Sequence, residues 1–337
     1  MRKVDNCPLC DAQVSDATTI RSTDYLSGDA FTVATCSECG MAFTTPYPTG
    51  AEELARYYPQ EDYYGSSTGR RFNPIMERMI SAFRAARAKR VLGVRKTGRV
   101  LDIGCGRALL LQHLKSLGWE CYGTELSESL ASHVRETSGI EVRTGELRDM
   151  GFEDGSFDVV TAYHVLEHIS NPRETLTAVR RLMKSDGLLV VGVPNLASVQ
   201  ARMSRGRWFH LDVPRHVVHF TPDTLARMLR ECGFEITSRK SYSLEYDPYG
   251  LVQSLLNIIG CKMNLLYQIL RRRGIAKPSV KTILYDVPVS LLLAVVLVAP
   301  AIALELVLSL AQLNGTMEFR CRPAAYITIS SQNSEVA

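Results

Sequence analysis

Between Arg99 and Ser243, short apolar runs take turns with segments of helical spacing, without a break. Val100–Ile103, Trp119–Leu126, Glu141–Thr144, Phe157–Tyr163, Leu188–Val193 and Phe234–Ser241 read as strands. Ala108–Leu117, Ser127–Thr137, Pro172–Lys184 and Thr221–Cys232 read as helices, the second opened by Ser127 as a cap with Glu128 in its first turn. Strands that alternate with amphipathic helices predict a parallel sheet covered on both faces.

The flanks follow other patterns. Thr18–Thr35 is polar and β-branched, as in the strands of a small ribbon, and Phe43–Gly65 is an irregular linker rich in Pro46, Pro48, Tyr57, Tyr58, Pro59, Tyr63 and Tyr64. Such aromatics wall a substrate cleft or make a plain domain joint. Arg70–Leu92 predicts a helix with Ile75, Met79, Phe83 and Ala86 inward and a basic face that is only solvated. Tyr249–Arg273 predicts one amphipathic helix carrying Leu251, Leu255, Leu256, Ile259, Leu265, Leu266, Ile269 and Leu270, and it ends in three arginines.

Val287–Leu304 then runs 18 residues without a charge, and the apolar character continues to Leu313. Pro288, Pro300 and Glu305 favour two half-helices over one clean span. Arg271–Arg273, Lys277 and Lys281 suit anionic headgroups. Contact with a membrane surface through residues 250–313 stands beside a buried cap or a homodimer surface. Thr316–Arg322 is expected to return antiparallel beside Phe234–Ser241, which makes the apolar stretch an insertion, with a frayed tail after Ser330. The chain thus divides into 1–45, 46–94, 95–245, 246–315 and 316–330.

Composition is ordinary for a globular chain, and a net charge of +4 over 337 residues gives no reason to expect nucleic acid. The first residues carry charges with no apolar run behind them, so no signal peptide is expected. An odd total of nine cysteines, five of them scattered singly, fits a reducing compartment and a cytoplasmic location, including the cytoplasmic face of a membrane.

The other four cysteines form pairs, Cys7-x-x-Cys10 and Cys36-x-x-Cys39, with 25 residues between them. Two such turns supply four thiolates for a structural Zn²⁺ and leave no position open for catalysis. In Leu101-Asp102-Ile103-Gly104-Cys105-Gly106 a strand runs into a glycine turn and a helix start, a place where backbone closely approaches a nucleotide-like ligand. Glu125, with Leu126 beside it, ends the next strand 19 residues beyond Gly106, in position to accept from ribose hydroxyls. Glu146 and Leu147 follow the third strand, where a carboxylate and an N–H can meet an adenine edge. A dinucleotide dehydrogenase would need glycine where Leu109 stands.

These runs, with Phe152–Val160 and His164-Val165-Leu166-Glu167-His168, resemble the class I S-adenosylmethionine-dependent methyltransferases over about residues 95–245. The resemblance implies a Rossmann-like, mostly parallel, seven-stranded α/β sheet, here with an N-terminal zinc ribbon and a C-terminal apolar helical insertion. It further implies that Asp102, Gly104 and Gly106 surround the methionine moiety, Glu125 the ribose, and Glu146 with Leu147 the adenine. Tyr163 and His164 would lie beside the sulfonium. Ala108 stands where the family usually has a third glycine.

The segment Trp208–Thr221 is inserted between a strand and the next helix, over the cofactor end of the sheet, where acceptors arrive. His216 is the first choice for a base there and His219 the second. The ribbon and His-x-x-His-Phe-Thr are also similar to the sugar C-methyltransferases, although Arg215 and His219 replace a glutamate and a tyrosine of that pattern. The expected acceptor is a small or lipid-linked molecule, with a cell-envelope glycan, an isoprenoid quinone, or another lipid as readings. A zinc-ribbon adaptor with a degenerate methyltransferase domain is the non-enzymatic alternative.

Overall fold

The computed structural model describes residues 1–325 apart from residues 2–3, 8–9, 15–17, 50–52, 54–55, 59–71, 94–95, 272–274 and 276–277. Pro59, Tyr63, Tyr64, Arg70, Arg272, Arg273, Lys277 and the tail beyond Ser330 lie outside the described residues.

The chain opens with an antiparallel ribbon of β1 (Thr18–Thr23), β2 (Ala30–Thr35) and β3 (Ala42–Thr45), followed by α1 (Pro74–Leu92). The central α/β unit then runs β4 (Arg99–Ile103), α2 (Leu109–Lys115), β5 (Glu120–Thr124), α3 (Glu128–Ser138), β6 (Glu141–Arg143), β7 (Phe157–Tyr163), α4 (Pro172–Leu182) and β8 (Met183–Pro194). After α5 (Val199–Ser204) come the short β9 (Val218–His219), α6 (Pro222–Glu231) and β10 (Phe234–Lys240). An insertion of α7 (Asp247–Ile258), α8 (Leu265–Leu270) and α9 (Val287–Leu310) precedes the last strand, β11 (Thr316–Pro323).

The seven-stranded sheet has the order β10–β11–β8–β7–β4–β5–β6. Strands β4 to β8 are parallel, and β11 lies antiparallel between β10 and β8. β11 is therefore beside β10 as expected, and it also pairs with β8, Thr316 opposite Pro194. Central strands such as β7 are buried on both faces, which is why their sequences read as unbroken apolar runs. Caps set the helix starts: Ser127 accepts from the Leu130 N–H, and Thr221 forms a reciprocal box with Thr224.

Three expectations are corrected. First, α1 starts at Pro74, capped by Asn73, and its inner face is not the apolar one. Ile75, Met79 and Ala86 are exposed, while Arg87, Ala88 and Val91 are buried. An ion pair to Glu245 compensates Arg87, so the helix turns part of its basic face inward. Second, Tyr249–Arg273 is not one helix. Gly260, left-handed at φ +91°, ends the first segment, and Asn264 starts α8 in the same conformation. Third, α9 continues through Pro300 as a single helix, because Ala301 and Glu305 beyond the proline are packed on the body.

The ribbon is not an independent bead. Met41, Phe43 and Ala34 share one core with Leu225 and Met228 of α6 and with strands β7 and β8. Strand β3 pairs with β9, so the stretch carrying His219 is the fourth strand of the ribbon sheet. Gly206 meets the ribbon so closely that a Cβ there would lie 1.9 Å from the Arg21 carbonyl oxygen.

Candidate functional site

A cavity of about 700 Å³ opens at the carboxyl end of β4, β5 and β7. Its floor is the β4–α2 turn. Gly104 takes φ +63°, and a Cβ there would come within 2.5 Å of Val165. Gly106 takes φ +55° and faces open space. Ala108 also adopts a left-handed conformation, φ 54°, which costs an alanine about 1 kcal/mol, so the missing third glycine is an energetic departure and not a geometric one.

Around this turn the acidic groups differ in environment. Asp102, at the end of β4, accepts from the Thr161 hydroxyl at 2.6 Å, its register neighbour on β7. Burial pushes its carboxyl up to about 6. Glu125 accepts from the N–H groups of Gly106, Leu126 and Ser127 at 3.0, 2.8 and 3.1 Å. It thereby folds the glycine turn onto the end of β5, and a carboxylate retains lone pairs for further donors. Leu126 is exposed at the cavity edge. Glu146 is exposed and paired with Arg148 at 2.8 Å, and Leu147 is half-buried against the core; neither lines this cavity.

The second wall comes from α1 and the stretch before α7. Glu245 receives Arg84 in a fork at 2.7 and 2.6 Å and Arg87 at 2.7 Å. The Arg87 guanidinium lies 4.3 Å from the Tyr163 ring centre, and the Tyr163 hydroxyl donates to Glu318 at 3.0 Å. Arg107 of the glycine turn pairs with Glu77 of α1 at 2.6 Å, which fixes the helix to the loop. Arg84 and Arg87 carry no signal in the sequence, since pairing with Glu245 across more than 150 positions leaves no local pattern.

Opposite lies a histidine cluster built around Glu167. The cavity is lined by His164, His168, His210 and His216. His164 holds a positive φ of 56° and brings Nδ1 to 3.3 Å from Glu167 Oε1. Burial alone would raise the Glu167 carboxyl, but the close imidazole of His164, with those of His216 and His168 behind it, outweighs burial and holds it at about 2. His216 Nδ1 lies 2.8 Å from the His210 carbonyl oxygen, which can only accept, so Nδ1 carries the proton and Nε2 is the free base. Burial lowers its pKa to about 4, so the ring is neutral near pH 7.

His219 is placed differently. It is buried outside the cavity, with Nε2 2.9 Å from the Thr44 hydroxyl of β3, and burial lowers it to about 3. The two rings of His-x-x-His lie 6.3 Å apart between centres, but only His216 lines the cavity. His216 instead meets Glu167 and His168, with one donor atom of each within 4.8 Å of the others.

Arg215 explains its own place in the motif. It is fully buried, paired with Asp24 of the ribbon at 2.7 Å and Asp212 at 2.6 Å, donates to the Tyr57 carbonyl at 3.1 Å, and lies 4.6 Å from the Tyr25 ring centre. The ribbon and the linker thus form the cavity's third wall with Tyr25, Tyr47 and Tyr58, and Tyr58 hydrogen-bonds His168 Nδ1 at 3.1 Å. Tyr267 and Asn264 of the insertion complete it.

At the ribbon, the sulfurs of Cys7, Cys10, Cys36 and Cys39 all lie within 4.8 Å of one another, Cys7 to Cys39 at 3.3 Å and Cys10 to Cys36 at 3.7 Å. Four thiolates ~2.3 Å from one tetrahedral Zn²⁺ sit about 3.8 Å apart, so the donor set fits that ion.

A mostly parallel sheet with an antiparallel strand inserted near one edge, and a glycine turn and two strand-end carboxylates at one cavity, define the methyltransferase class of α/β fold. A methyltransferase-domain model matches residues 75–239. The chain is 32% identical over 156 residues to the ubiquinone biosynthesis O-methyltransferase of a Ruegeria species, covering 43% of this chain and 63% of that one. It is 32% identical over 169 residues to that of Cereibacter sphaeroides, covering 47% and 67%. The chain belongs to the class I S-adenosylmethionine-dependent methyltransferase family. It spans a little under two thirds of the length of the Ruegeria relative. Among solved structures, a SAM-dependent methyltransferase from Archaeoglobus fulgidus is similar at 22% identity and TM-score 0.46, over 79% of this chain and 99% of that one.

Proposed function

We propose that this protein transfers a methyl group from S-adenosylmethionine to a hydroxyl on a small, aromatic or lipid-like acceptor. One observation carries the reading: the glycine turn, Asp102 and Glu125 face the same cavity as His216, whose free Nε2 is neutral at working pH. The volume lies within the usual range of ~300–1,000 Å³ for ligand pockets.

When bound, S-adenosylmethionine supplies a methyl already activated on a sulfonium. What remains for the chain is alignment and removal of the acceptor proton. The glycine turn lets backbone approach the cofactor, Asp102 would accept from its ammonium group, and Glu125 from its ribose. His216 takes the acceptor proton on Nε2 while its Nδ1–H stays on the His210 carbonyl. Glu167, beside it, stabilises the imidazolium that forms.

The aromatic wall of Tyr25, Tyr58, Phe209 and Tyr267 supports a planar, apolar acceptor, as does the O-methylation that the names of the curated relatives describe. A sugar-bearing acceptor is the second reading, favoured by the same tyrosine faces, on which pyranose rings stack. Five cysteines scattered singly, beside the four of the ribbon, support a reducing, cytoplasmic setting.

Titration calorimetry with S-adenosylmethionine tests the cofactor. Binding at pH 7.5 is expected, and because Asp102 is ionised only above about 6, affinity falls as pH drops through that value, by about tenfold at pH 5. Asp102→Asn should weaken binding and flatten this dependence. Absence of heat with the wild-type protein at pH 7.5 would sink the reading.

Zinc in the ribbon is part of the same proposal. Elemental analysis should find one Zn²⁺ per chain, and Cys36→Ser should abolish it. Because β3 carries the metal end of the ribbon to β9, that variant should also open residues 205–220 to proteolysis while cofactor affinity stays unchanged. Metal-free wild-type protein with the same protease resistance would count against it.

A further inference from the structure

We propose that the bare face of α9 seats this protein on an anionic phospholipid bilayer, with the helix lying in the plane of the membrane. The inference goes beyond methyl transfer and does not depend on it.

The segment Thr282–Leu310 is amphipathic in the wrong sense for water. Four of its polar side chains, Thr282, Asp286, Ser290 and Glu305, are buried and with Ala301 form a stripe at helical spacing against the body, whereas Tyr285 is exposed and Ser309 half-buried near the two ends. Glu305 receives Gln200 and Asn314 at 2.7 and 2.6 Å, and Leu293, Ala294 and Leu297 pack on Leu251, Leu256 and Leu266. The outward face is apolar from end to end: Leu284, Leu292, Val295, Val307 and Leu310 are 73%, 63%, 76%, 62% and 87% exposed. A helix facing water shows the reverse distribution. Only 11% of its most apolar stretch is buried, so it is not a core helix either.

The orientation follows from its anchors. The insertion leaves the central sheet at β10 and returns at β11, and the body flanks α9 from Ser290 to Glu305. A spanning orientation would drag that polar body into hydrocarbon, whereas an in-plane one immerses only the exposed stripe. The rim suits a charged interface. Lys281 and Tyr285 are exposed before α9, the Lys281 ammonium resting on Asp286 at 3.3 Å and on the Gly260 carbonyl at 3.0 Å with its outer side in solvent. The exposed Arg207 donates to the Ile258 carbonyl beside the exposed Ile258 and Ile259 at the end of α7. Cations beside an aromatic and an apolar patch match anionic headgroups over acyl chains.

Flotation of the full chain with phosphatidylcholine vesicles containing phosphatidylglycerol tests this. The wild type should rise with the vesicles, and Val295→Glu with Val307→Glu should lower partitioning at least ~tenfold without changing cofactor binding. Depth can be read independently, because Trp119 and Trp208, the two native tryptophans, are 3% and 1% exposed and shielded from lipid. Leu284→Trp, Val295→Trp and Val307→Trp, made singly, should be quenched equally by shallow brominated lipid. Deepest quenching at Val295 would mean a span and overturn the in-plane proposal. A wild type that never floats, and instead sediments as a dimer which the glutamate pair dissociates, would make the stripe a contact between two copies and overturn it too.

Discussion

Replacing His216 with alanine should lower turnover by ~10²–10⁴ with little change in cofactor affinity, the range typical of losing a general base. The expectation rests on tautomer and placement together. The Nδ1–H is committed to the His210 carbonyl, Nε2 is left to accept, and the ring faces the cavity. The pH profile distinguishes this from a structural loss. Burial lowers the His216 pKa to about 4, so the base is already free at pH 6, and turnover measured with S-adenosylmethionine held saturating, which removes the Asp102 effect on binding, should decline only as pH falls towards 4. An acid limb near 6.5 would point to a solvated imidazole elsewhere. His219→Gln should by comparison retain most turnover, because His219 contacts Thr44 outside the cavity. If His216→Ala turns over normally, the base lies elsewhere in the cluster, with His164 the next position to substitute.

The second large effect is on stability. Arg215→Met should cost about 3–5 kcal/mol, read as a lower urea midpoint, because it leaves two carboxylates without the one guanidinium that pairs with both. Asp24 is almost fully buried, and Asp212, which burial alone would raise, is held at about 2 by Arg215. Arg215→Lys should recover little. A single ammonium cannot reach Asp24, Asp212 and the Tyr57 carbonyl with the planar fork that Arg215 uses. The paired variant Asp24→Asn with Arg215→Met should be less destabilised than the sum of the single changes. A loss below about 1 kcal/mol in Arg215→Met would show that the ribbon is held to the motif loop by packing alone.

Much of the architecture could be read along the chain because its signals are local. The strand–helix alternation from Arg99 onward, the cap at Ser127, and the return of Thr316–Arg322 depend on neighbours within a few residues or on one apolar run. The paired cysteines have the same character, since each turn brings its two sulfurs together unaided. Where long-range contacts decide, periodicity misleads. The apolar positions of α1 point to solvent because Glu245, far along the chain, neutralises the arginines on the other side. Pro300 argues for a break in the apolar stretch, but packing beyond it keeps α9 whole. His219, second to His216 in the motif, is held on Thr44 because β9 joins the ribbon sheet.

By itself, the sequence determined the class of fold, the glycine turn with its acidic neighbours, and the four-cysteine array. Each is written in short-range spacing that backbone geometry turns directly into shape. Only the tertiary structure decided which histidine faces the cavity, that Arg215 is a clamp to the ribbon, and that α9 hides its polar side chains and bares its apolar ones. Those outcomes depend on which distant groups can satisfy a buried charge or hydrogen bond, and spacing along the chain does not record such partners.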